Sequence, residues 1–197
     1  MRSQISASTD PRVWMTPERE ARFRRIARVL DFPGMLVGKA AAWLILPMVG
    51  ALAYEVVARF GFNRPTIWAY DVTYMFYGAM FMLCAAYTLG RDAHVRADFL
   101  FNILPPRWQG VIDALFIVLL FFPAMYLFTE STIGYAAISW ERGERIPSSP
   151  WMPIIYPLKA TMPIAGALLL IQGVSELVKS LFCILSNRRF REEATPS

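Results

Sequence analysis

Charged residues are absent from four long stretches of this 197-residue chain. Lys39 and Glu55 bracket 15 residues without a charge, and Asp71 and Arg91 bracket 19. Asp113 and Glu130 bracket 16, as do Lys159 and Glu176. With the apolar residues at either end, each run matches the roughly 20 residues a helix needs to cross about 30 Å of hydrocarbon. A single run of 16 also fits a buried core helix. Four in succession, with little polar sequence between them, do not. The pattern predicts an all-α integral membrane protein with four transmembrane helices, at about 36–60, 67–90, 109–133 and 154–185. The third is expected to continue as helix beyond the bilayer.

Two further helices are predicted outside the spans. In residues 17–32, Phe23, Ile26, Ala27 and Leu30 recur at i, i+3, i+4 and i+7 while arginines cover the other side. This is a basic amphipathic helix suited to an anionic membrane surface, supported by Glu18–Arg22 and Glu20–Arg24 at i, i+4. Between spans two and three, GRDAHVRADFL places Asp92–Arg96 and His94–Asp98 at i, i+4 and Val95, Phe99 and Ile103 on one stripe. A short interfacial helix is expected there, ended by Pro105 and Pro106. The chain then divides into a leader (1–35), a membrane domain (36–185) and a tail (186–197).

Composition and charge sharpen this picture. The chain is 56% hydrophobic and 18% charged, too few charges to coat a soluble domain of this size. The first 35 residues are charged and hold no apolar core, so no cleavable signal is expected. Leader, second connection and tail carry 13 arginines, while the first and third connections carry four. The positive-inside rule therefore predicts both termini, and the GRDAHVRADFL segment, in the cytoplasm. Trp68, Trp140 and Trp151 then fall at the outer interface and Trp108 at the inner one.

Candidate chemistry is sparse. His94 is the single histidine, so neither a bis-histidine haem site nor a zinc site with two histidines can form. Nucleophile-elbow, phosphate-loop and H-E-x-x-H patterns are absent, and Cys84 and Cys183 do not form C-x-x-C. No catalytic, cofactor or metal residues are expected. The ionisable residues gather towards the span ends: Glu55 and Arg59, Asp71, Glu176 and Lys179. With no acid in the middle of a span, an ion-coupling site is not expected either. The proline-rich outer connection, SWERGERIPSSPWMPIIYPLK, is a candidate docking surface or a rigid interfacial re-entry anchored by Trp151 and Tyr156. A self-sufficient four-span exporter or membrane enzyme is the alternative, but each would need groups that this pattern lacks.

Three motifs in order, YEVVARF (Tyr54–Phe60), H-V-R-x-D (His94, Val95, Arg96, Asp98) and SSPWMPIIYPLK, resemble the small membrane subunit (DctQ-like) of tripartite ATP-independent periplasmic, or TRAP, transporters. The resemblance covers about residues 36–180, and the long GERIPSSPW connection and the LLLIQG run (Leu168–Gly173) resemble the subgroup serving keto-acid or mannitol/chloroaromatic-type systems. It implies a bacterial inner-membrane protein without catalysis or cofactor, which supports a large membrane subunit holding the substrate and sodium sites. A periplasmic binding protein would deliver an organic acid, with or without direct contact with the small subunit, and membrane lipids would be the other partner, with no nucleic acid. Glu55, Arg59, Asp71, Arg91, His94, Arg96, Asp98 and Trp151 are then expected to be structural or interface residues.

Overall fold

A computed structural model describes residues 17–91 and 105–186. His94, Arg96, Asp98 and the interfacial helix expected around them lie outside these residues. The described residues form six α-helices: α1 (Pro17–Ala42), α2 (Ile45–Val56), α3 (Ala69–Gly90), α4 (Pro106–Phe116), α5 (Phe122–Glu141) and α6 (Tyr156–Ser186). They combine into four continuous rods long and apolar enough to cross a membrane: Glu18–Gly61, Ala69–Gly90, Arg107–Glu141 and Tyr156–Ser186.

Prolines set the irregularities within these rods. Pro47 has no N–H, and its ring crowds the carbonyl of Trp43, four residues back. The Trp43 carbonyl instead accepts from Leu46 N–H at 3.2 Å, and the helix tightens at Trp43–Leu44 between α1 and α2. Pro123 acts similarly between α4 and α5, where Ile117–Phe121 widens into a π-turn and Phe122 N–H reaches back to the Ile117 carbonyl. Pro106 opens α4 at a position where the missing N–H costs nothing.

The leader and the start of the first span share one helix. α1 runs through residue 35, and the break falls at Trp43–Leu44. The apolar face of the leader rests partly on protein: Ala27 is buried and Phe23 meets Phe182 of α6 edge-to-face at 6.0 Å. Glu20 and Arg24 pair at 2.9 Å, half-buried along the edge of this face.

Small residues make the core. Of the 11 buried apolar residues among those described, eight are alanine, whereas Trp43, Phe60, Tyr70, Leu119 and Leu120 point outward. Helices in hydrocarbon gain little from hiding large apolar side chains, so they associate through close backbone approach. α6 is central and touches α1, α3, α4 and α5, while α2 packs on α3. A Cβ on Gly110 would sit 2.7 Å from the Ser180 carbonyl oxygen, and one on Gly38 would sit 2.4 Å from the Tyr87 Cβ. Gly173 meets Phe121, and Gly166 meets Thr129. These contacts fix an antiparallel register in which Gly110, Phe121 and Thr129 lie level with Ser180, Gly173 and Gly166.

Candidate functional site

Polar side chains meet across helices in three places. The first closes the turn between α2 and α3. The Glu55 carboxylate accepts from Arg59 Nε at 2.8 Å and Nη2 at 2.5 Å, one helical turn away. It also accepts from the backbone N–H of Thr66 at 2.9 Å and from the Thr66 hydroxyl. A single carboxylate thus ties the end of one rod to the start of the next. Tyr54 stacks on Trp68 at 5.7 Å beside it.

A second cluster organises the connection between α5 and α6. Asp71, on α3 and 7% exposed, accepts from the Ser149 hydroxyl, and Ser149 Oγ accepts from Trp151 N–H at 3.2 Å. The connection folds back on itself through Ile146 N–H to the Pro153 carbonyl at 3.0 Å and Ile155 N–H to the Glu144 carbonyl at 3.1 Å. Glu144 pairs with Lys159 of α6 at 2.5 Å, and the Lys159 ammonium also lies 3.9 Å from the Tyr135 ring centre. That ammonium holds the Glu144 carboxyl below its ordinary value of 4.5. Trp140 and Tyr156 meet edge-to-face at 4.6 Å. Met75, Arg145, Trp151, Met152 and Ile154 line an open groove of about 400 Å³ on this surface.

The third cluster lies at the opposite end. Lys179 of α6 reaches Glu176 at 2.9 Å, Asp31 of α1 at 3.1 Å and the Gly90 carbonyl ending α3 at 3.4 Å. An ammonium has three donors, and here three helices supply the three acceptors. Gln172 donates to the other Asp31 oxygen at 2.6 Å, and Ser175 donates to the Ala27 carbonyl at 3.4 Å. Gln172 is 1% exposed because it fills the gap between Gly34 and Gly90, where a Cβ would stand 3.2 Å and 2.6 Å from its amide.

The residues singled out from sequence are distributed over these clusters. Glu55 and Arg59 are paired, and Asp71 and Trp151 meet through Ser149. The Arg91 guanidinium sits over the Tyr87 ring at 5.2 Å. Asp31, Gln172, Ser149 and Lys159 were not singled out. A signal for the third cluster is present in the chain: Gln172, Ser175, Glu176 and Lys179 recur at i, i+3, i+4 and i+7 on an otherwise apolar helix. Its counterpart is the small-residue and Asp stripe of Ala27, Asp31, Gly34 and Gly38.

The three clusters join helices to one another. Among the described residues, no three His, Cys, Asp or Glu side chains come together in a group that could hold a metal. A search of curated proteins found no match. The family model described as "Tripartite ATP-independent periplasmic transporters, DctQ component" matches residues 48–183, which include the first and second clusters and Gln172, Glu176 and Lys179 of the third. The chain is therefore a multi-pass membrane protein that belongs to the DctQ family, the small membrane subunit of TRAP transporters.

Proposed function

We propose that this chain is a non-catalytic scaffold that holds the large membrane subunit of a TRAP transporter in place during sodium-gradient-driven uptake of a carboxylic or keto acid. The acid is delivered by a periplasmic binding protein. The chain itself carries no cofactor, and sodium is used by the large subunit. It sits in the bacterial inner membrane with both termini in the cytoplasm, a reading supported by the arginine asymmetry of its connections.

One observation carries this reading: the Lys179 ammonium spends its donors on groups from α1, α3 and α6. A side chain committed to neighbours in this way braces helices and is not available to a moving ion or solute. The Asp71–Ser149 and Glu144–Lys159 contacts brace the other end in the same manner. A frame fixed at both ends suits a subunit against which a substrate-carrying domain moves. For His94, Arg96 and Asp98 the proposal rests on sequence alone: the arginine asymmetry assigns their segment to the cytoplasmic side, with a structural or interface role.

The test is reconstitution in liposomes with an inward sodium gradient and a panel of carboxylic and keto acids. Uptake is expected only when the large subunit and the binding protein are both present. Solute accumulation by this chain alone would overturn the reading.

A further inference from the structure

The register of α5 against α6 puts an acid where the sequence pattern does not. Phe121 meets Gly173, Thr129 meets Gly166 and Tyr135 meets Lys159, so Glu130 lies level with Ala165. On α6 that level is six residues from Lys159 and eleven from Glu176. At 1.5 Å per residue these steps are about 9 Å and about 16 Å. Glu130 therefore falls well inside the apolar layer between the two polar ends, and not at its rim.

Glu130 is exposed and makes no hydrogen bond or ion pair among the described residues. Its face of α5 also carries Leu127, Ser131, Gly134, Ala137 and Ile138, all exposed. A Cβ on Gly134 would meet nothing within 4 Å, so the helix backbone is open to close approach there. The opposite face buries Thr132, Ala136 and Ser139. An ionisable group inside hydrocarbon needs a partner, and lipid tails supply none. A two-fold contact with a second copy would bring two Glu130 carboxylates towards each other, which is unfavourable at low dielectric.

We propose that this face of α5 is the seam on which a transmembrane helix of the large membrane subunit docks, and that this helix presents a basic or other hydrogen-bond-donating side chain to Glu130. The proposal rests on the scaffold reading above. Small residues admit the incoming backbone, and Glu130 sets its depth.

The complex is to be co-expressed with a tag on this chain, extracted in mild detergent and scored for recovered large subunit. A photo-crosslinking benzophenone amino acid in place of Ala137 is expected to capture the large subunit. Gly134→Leu and Glu130→Lys are each expected to lower its recovery roughly tenfold or more, the loss typical of a central interface residue. Gly50→Leu is the matched control: a Cβ there also meets nothing within 4 Å, and recovery should be unchanged. Wild-type recovery with both seam variants overturns the proposal. So does a crosslink to a second copy, or to lipid alone. The crosslink is read in an otherwise unaltered chain and does not depend on the variants folding. Failure of the unaltered chain to recover any large subunit overturns the scaffold reading as well, whereas loss of the seam alone leaves that reading standing.

Discussion

Lys179 is 8% exposed and neutralises two carboxylates that α1 and α6 bring to it. Lys179→Met keeps most of the volume and strands both acids, so it should cost about 3–5 kcal/mol, the usual loss when one partner of a buried pair is removed. Arg59→Met should cost less than about 1 kcal/mol. Arg59 is largely exposed, and Glu55 keeps both donors from Thr66. Thermal unfolding of the detergent-solubilised chain measures the two side by side, and equal shifts would contradict the ranking. Glu144 adds a pH dependence whose sign follows from its lowered pKa. A depressed carboxyl stabilises the fold above its unfolded value of 4.5, and that contribution disappears as pH falls through the lowered folded value. The unaltered chain should therefore melt above Glu144→Gln at neutral pH, and the gap should close on acidification below 4.5. A gap that widens in acid would be the wrong sign.

At the scale of elements, α1 changes its role along its length. Its arginine-covered side fits a membrane surface, yet Phe23, Ala27 and Asp31 are engaged by Phe182, Ser175, Gln172 and Lys179 of α6. A leader that merely lies on lipid can be removed at little cost. Deleting residues 1–35 should instead lower the melting temperature by about 10 °C, because Lys179, Gln172 and Ser175 lose their partners together. Size-exclusion profiles and thermal melts of the truncated chain give the answer, and an unchanged melt would return the leader to a surface role. Where the rods bend was partly readable: Pro47 and Pro123 mark the breaks, because a proline disturbs the carbonyl four residues back. Whether the disturbance becomes a tightened turn, as at Trp43–Leu44, or a π-turn, as at Ile117–Phe121, depends on which carbonyl the next free N–H can reach.

Across the whole molecule, the four charge-free runs were sufficient for the number of membrane-length helices, since length and apolarity alone decide whether a rod can cross hydrocarbon. Three motifs in order were sufficient for the family. The pairing of Glu55 with Arg59 was also legible, being four residues apart on one helix. Asp71 with Ser149 and Asp31 with Gln172 and Lys179 were not. Their partners lie 78, 141 and 148 residues apart along the chain, and helix register, which no local spacing encodes, brings them together. Glu130 shows the same division most plainly. As the residue that closes a charge-free run it reads as a rim acid, but α5 continues for eleven residues to Glu141, and the Thr129–Gly166 and Tyr135–Lys159 contacts leave Glu130 below the outer polar end. Hydrophobic length is a one-dimensional property and survives in the sequence; depth and partnership are set only when glycines and alanines let the helices settle at one register.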